Sequence, residues 1–104
     1  MNKFLSFLGL TRKSGKLLLG YNKNEEAIKL RQLFLVIIST GAAENTKKKF
    51  QGLAERAGVP LIEDFTIEEL GQALGRKEIA VVGVIDRSMA AKLLSIREPG
   101  DIDG

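Results

Sequence analysis

The chain has no cysteine and no histidine. Imidazole and thiolate are the commonest transition-metal ligands, and they also supply the usual neutral-pH general base and thiol nucleophile. No metal, cofactor or disulfide is therefore expected. None is needed as a staple, since a domain of 104 residues buries roughly 60–70% of the surface its unfolded chain exposes. Long apolar runs are also missing. The longest, Leu33–Ile38, falls far short of the ~20 residues that a bilayer-spanning helix requires. Met1-Asn2-Lys3-Phe4 does not open like a secretory signal. These features set the expectation of a cytoplasmic protein with no membrane partner.

Catalytic and nucleotide patterns are absent as well. No Gly-Lys-Ser/Thr follows Gly9, Gly15 or Gly20 at phosphate-loop spacing. The paired carboxylates Glu25/Glu26 and Glu68/Glu69 are sequence neighbours, so on a helix each pair diverges. Without a convergent acid, base and nucleophile, neither an enzyme nor a small-molecule substrate is expected.

What is present is segregated charge. Residues 1–58 hold 11 Lys and Arg against 4 Asp and Glu, whereas residues 59–104 hold 5 against 9. A basic half in a chain of pI near 9.3 suits a polyanionic partner.

Phe4, Leu5, Phe7, Leu8 and Thr11 recur at helical spacing until Gly15, which predicts a first amphipathic helix. Lys16–Leu19 reads as a short strand, followed by a second helix opening at Asn22 with Ala27, Ile28 and Leu30 inward. Leu33–Ile38 is continuously apolar, as expected of a central strand covered on both faces. A third helix places Ala43, Phe50, Leu53, Ala54 and Ala57 on one stripe and ends at Gly58, with Lys47, Lys48 and Lys49 as a solvated face. Pro60 confines Val59–Ile62 to a strand start or an edge. Thr66 and Glu69 form a capping-box pattern for a fourth helix that ends at Gly75. Ile79–Ile85 is the last strand, and Asp86 caps a closing helix carrying Met89, Ala90, Leu93 and Leu94. No repeat or linker divides the chain. The expected architecture is α/β, a single-domain three-layer α/β/α sandwich with a four-stranded mixed sheet over residues 1–97, followed by an acidic frayed tail at 98–104.

Two polar segments stand out. In GYNKNEEAI, Asn22 precedes Glu25 by three residues, so a cap closed by Glu25 explains much of the polarity. Tyr21 and Lys23 beside it, and Lys13 and Lys16 upstream, fit equally a helix N-terminus that receives a phosphate or base edge. Arg76-Lys77-Glu78, followed by Ile79, reads either as a solvated turn or as the second wall of a groove. The groove requires that both loops reach the same edge of the sheet. Phe4, Phe7, Phe50 and Phe65 look like core, which leaves Tyr21 as the stacking candidate.

Gly20-Tyr21-Asn22 at a strand-to-helix junction, Ala27-Ile28, the LFLVIIS strand and ELGQALG before the last strand resemble the kink-turn-binding ribosomal protein family. TRKSGKLLLG before the helix resembles its short bacterial YlxQ-type branch. The resemblance covers roughly residues 3–95. It implies the same sandwich, no enzymatic activity, and binding of structured, sharply bent RNA by a monomer through the second helix start and the loop before the last strand. In the family motif Gly-x-Asn-Glu-x-x-Lys, Asn and Glu address guanines of tandem G·A pairs. Laid on this chain, Gly20 and Asn22 match, Lys23 replaces the glutamate and Glu26 replaces the lysine. By position Arg76, Lys77, Glu78 and Ile79 fill the recognition loop. The implied RNA site is thus Lys13, Lys16, Gly20, Tyr21, Asn22, Lys23, Glu26, Arg76, Lys77, Glu78 and Ile79, in an accessory of translation or the ribosome. The alternative is a protein-interaction module on this fold that has exchanged its partner along with the two motif charges.

Overall fold

A computed structural model describes residues 2–97, so the tail expected at 98–104 lies outside the described residues. Helix α1 (Lys3–Lys13) starts at Asn2, whose side-chain oxygen accepts from the amides of Phe4 (2.7 Å) and Leu5 (3.2 Å). This satisfies donors that the first turn otherwise leaves orphaned. Then follow β1 (Leu17–Leu19), α2 (Tyr21–Lys29), β2 (Leu35–Ile38), α3 (Glu44–Ala57), β3 (Leu61–Glu63), α4 (Ile67–Ala73), β4 (Val81–Val84) and α5 (Arg87–Arg97).

The four strands form one mixed sheet in the order β1-β4-β2-β3. Strand β4 is antiparallel to both of its neighbours, and β3 is parallel to β2. Strand side chains alternate between faces. Leu35 and Ile37 of β2, with Val82 and Val84 of β4, therefore pack with Phe4 and Leu8 of α1, Leu70 of α4 and Leu93 of α5. Val36, Ile38 and Val81 pack on the opposite face with Ala27 and Ile28 of α2 and Phe50 and Leu53 of α3. Helices on both faces explain why LFLVII shows no alternation of polarity. The expected three-layer sandwich with β2 inside and the proline-led β3 at the edge is the observed one, and Pro60 stands just ahead of β3.

The capping box is present: Thr66 Oγ1 accepts from the Glu69 amide at 3.0 Å, and Glu69 Oε1 accepts from the Thr66 amide at 2.8 Å. Asp86 caps α5 by accepting from the Met89 amide at 2.9 Å.

Three expectations are corrected. Leu30 is 61% exposed, because it follows the last turn of α2 and leaves the stripe held by Ala27 and Ile28. Ala43 is the exposed N-cap of α3 and not part of its buried stripe. Lys47 is not a solvated lysine: its ammonium lies 3.2 Å from Glu63 of β3 and 3.6 Å from Glu44, and Glu63 holds its pKa above the ordinary lysine value. Lys49 reaches Glu25 across the α2–α3 interface at 3.1 Å.

Candidate nucleic-acid interface

Strand β1 leaves the sheet at Gly20 with φ 105° and ψ 165°. Only glycine enters this backbone region without strain. The turn sends the chain straight into α2 at Tyr21, so Gly20 is the N-cap and contributes no side-chain cap. The reading of Asn22 as the cap is thereby corrected. Asn22 sits within the first turn, exposed, and makes no capping bond; Glu25 faces Lys49 and Lys29 (3.3 Å), which together hold its carboxyl below the ordinary carboxylate range.

The structural demand behind the polar run belongs to a different residue. Asn24 is fully buried, and its Nδ2 donates to the carbonyls of Leu18 (2.9 Å) and Gly20 (2.8 Å). Its Oδ1 has no hydrogen-bond partner among the described residues and lies over Gly83 of β4, where a Cβ would collide with it. Asn24 thus ties the first turn of α2 to the end of β1. The sequence signal was there: positions 24, 27 and 28 share one helical stripe, and all three are buried.

The Gly20 amide donates to the Val81 carbonyl at 3.0 Å, so the end of β1 and the beginning of β4 lie side by side. This topology brings the start of α2 next to the loop at 75–80, which is the condition for a shared groove. Gly71 seats that loop on α4. The Arg76 amide donates to the Gly71 carbonyl at 2.8 Å, and a Cβ on Gly71 would stand 2.7 Å from the Lys77 carbonyl oxygen and 2.8 Å from that of Arg76. Ile79 turns into the core, 8% exposed, and anchors the loop from below, so its side chain is not at the surface; Arg76, Lys77 and Glu78 remain exposed.

A groove of about 260 Å³ runs along the outer edge of β1. It is lined by Leu17–Leu19 of β1, Arg12 and Lys13 of α1, Lys23 of α2 and Arg76 of the loop before β4. Arg12 extends toward the loop, with its Nη1 3.5 Å from where a Cβ on Gly75 would stand. All four cations are exposed, and among the described residues none is within ion-pair distance of a carboxylate. Charges beside an edge strand discourage unwanted pairing, but that role requires neither a single sign nor convergence from three separate segments. Four cations without a counter-charge repel one another until an anion enters.

Of the residues singled out in the sequence, Lys13, Lys23 and Arg76 line this groove, and Gly20 shapes its end. Asn22 and Glu26 lie one turn apart on the exposed side of α2. Tyr21 is 38% exposed, and its ring meets Phe50 edge-on at 5.2 Å, so it is partly committed to the core. Lys16 and Lys77 are exposed but do not line the groove; the Lys16 carbonyl accepts from Ile85 at the far end of β1. Arg12 was missed, because its place off the apolar stripe of α1 says nothing about what it faces. Among the described residues no group of three His, Cys, Asp or Glu side chains could hold a metal ion, and no helix is long and apolar enough to cross a membrane.

Residues 2–95 match the model of the Ribosomal protein L7Ae/L30e/S12e/Gadd45 family. The chain is 30% identical over 96 residues to the RNA-binding protein YlxQ of Enterococcus faecium, covering 92% of each chain. It is 28% identical over 94 residues to the RNA-binding protein YlxQ of Bacillus subtilis (strain 168), covering 90% of this chain and 94% of the relative. A solved structure of a protein with unknown function from Bacillus halodurans C superposes with a TM-score of 0.90 at 33% identity, covering 92% of this chain and 97% of that one.

Proposed function

The chain belongs to the ribosomal protein L7Ae/L30e/S12e/Gadd45 family, and from that membership we propose that it binds structured RNA along the edge of β1, as a cytoplasmic accessory of the translation apparatus. The observation that carries this reading is the convergence of Arg12, Lys13, Lys23 and Arg76 on one groove without a carboxylate among them. Two relatives spanning nine-tenths of the chain or more are named as RNA-binding proteins, which supports the same polyanion.

In this reading the four cations take phosphates, with Lys16 and Lys77 extending the track at either end. The arginines suit paired phosphate oxygens, and the lysines act as point charges. Gly20, lacking a Cβ, lets the backbone approach the RNA closely, and the first-turn amides of α2 face an anion favourably. The Asn22 carboxamide both donates and accepts, so it reads a base edge. Tyr21 offers the exposed part of its ring, and Glu26 and Glu78 are left as acceptors at the margin. Lys23 occupies the position of the family's glutamate and has no acceptor for a guanine donor. Recognition therefore rests on the shape and backbone of a bent RNA, with base readout concentrated at Asn22.

Titration of two labelled RNAs, a stem with tandem G·A pairs and an uninterrupted duplex, tests the reading. Wild type should bind the bent RNA with modest preference, and the double variant Lys23→Glu with Glu26→Lys should increase that preference. Binding to neither RNA, with a cellular partner that still co-purifies after ribonuclease treatment, would replace RNA by a protein ligand.

A further inference from the structure

At the opposite end of the sheet, residues 31–34, residues 57–60 and the first turns of α5 enclose a second groove of about 560 Å³. Two backbone bonds hold these segments together: the Phe34 amide donates to the Val84 carbonyl at 2.8 Å, and the Val36 amide donates to the Pro60 carbonyl at 3.0 Å. Phe34, Val59, Pro60 and Leu94 give the groove apolar walls, and Arg31 and Arg87 are the cations on it. Among the described residues neither arginine lies within ion-pair distance of a carboxylate.

Both arginines are exposed, and each is only partly engaged within the fold. Arg87 opens α5, the end at which the helix dipole disfavours a cation, and its guanidinium lies 4.9 Å over the Phe34 ring. Arg31 has φ 61°, a conformation that glycine adopts without cost. One of its guanidinium nitrogens donates to the last carbonyl of α3, at Ala57, across 3.4 Å, and among the described residues its other donors make no hydrogen bond.

We infer that this groove docks an acidic, apolar-anchored segment of a partner protein. Its carboxylates meet Arg31 and Arg87, and its apolar side chains lie on Phe34, Val59, Pro60 and Leu94. The apolar walls decide against a phosphate backbone as occupant, since ribose and phosphate gain nothing from them, whereas a peptide buries side chains there and pairs its charge as well. The groove opens at the starts of β2 and β3 and the end of β4, away from the start of α2 and the loop at 75–80. The chain would then carry a protein to an RNA.

The test pans a phage-displayed library of random dodecapeptides on the full chain and titrates the best-enriched peptide as a synthetic probe. Enriched peptides should combine acidic with apolar residues. Arg87→Glu, at an exposed position, and Arg31→Gly, which relieves the backbone, should each stay folded and weaken the probe by about tenfold or more, as expected for loss of a charge-assisted hydrogen bond. Lys23→Glu and saturating RNA should leave the probe's affinity unchanged. The inference is overturned if no peptide is enriched above the Arg87→Glu control, or if RNA displaces the probe. It is equally overturned if Arg87→Glu weakens RNA as much as Lys23→Glu does, if the probe binds only after residues 98–104 are removed, or if Arg87→Glu abolishes self-association of the chain.

Discussion

Replacing Asn24 separates a hydrogen-bonding clamp from simple packing. Asn24→Ala removes two bonds from Nδ2, worth about 0.5–1.5 kcal/mol each. It also leaves a small cavity at roughly 24 cal/mol per Å³. Loss of the unpartnered Oδ1 offsets part of this, so the net cost should be about 2 kcal/mol. Asn24→Asp preserves the shape but turns an acceptor toward the carbonyls of Leu18 and Gly20 and buries a charge. It should cost more than the alanine, roughly 3 kcal/mol or above. If Asn24 merely fills space, the order reverses, because aspartate fits and alanine does not. The introduced carboxyl should have its pKa raised in the folded state, since burial and two facing carbonyls disfavour the anion. A group of that kind contributes stability below its unfolded pKa and loses it as pH rises through the folded value, so the aspartate variant should recover on acidification while the alanine variant does not. Urea denaturation of both variants at about pH 7 and pH 5 makes the comparison. An aspartate variant more stable than the alanine one at neutral pH would refute the clamp.

Gly71→Ala gains up to ~1 kcal/mol of helix propensity, yet its Cβ meets the carbonyls of Arg76 and Lys77, so it should destabilise by about 1–3 kcal/mol and weaken RNA binding; thermal melting with an RNA titration checks both. Asn22→Ala should leave stability within ~0.5 kcal/mol, because Asn22 caps nothing, while costing about 1–3 kcal/mol of RNA affinity if its carboxamide reads a base. Lys49 first, then Lys29, lower the pKa of Glu25, so this carboxylate contributes stability above its ordinary pKa and loses it as pH falls through the folded value. Glu25→Gln should therefore flatten the acid side of a stability-against-pH curve.

The layers of the fold were legible because their signals are local. LFLVII has no polar face to expose, Pro60 excludes its strand from the sheet interior, and Thr66 and Glu69 close a cap from within four residues. The site was legible only in part. Asn22 looked like a cap because Asn with a glutamate three residues on is the usual signature, but the backbone at Gly20 starts the helix at Tyr21, and only the fold reveals that angle. The meeting of Lys23 with Arg76 in one groove depends on β1 pairing with β4, two strands that are more than sixty residues apart in the chain. Ile79 resembled a loop contact by position, and burial beneath the loop made it an anchor. Arg12 carried no local signal at all.

The salt dependence of RNA binding tests the groove most directly. Each phosphate neutralised releases counterions and contributes about 0.7 (single strand) to 0.9 (duplex) to the slope of log affinity against log salt. With Arg12, Lys13, Lys23 and Arg76 each engaging a phosphate, the slope for a structured stem should lie between roughly −2.8 and −3.6, and Arg12→Ala or Arg76→Ala should each reduce its magnitude by roughly 0.7–0.9 while thermal stability stays close to wild type. A flat salt response, or a slope that both variants leave unchanged, would contradict RNA binding along the edge of β1.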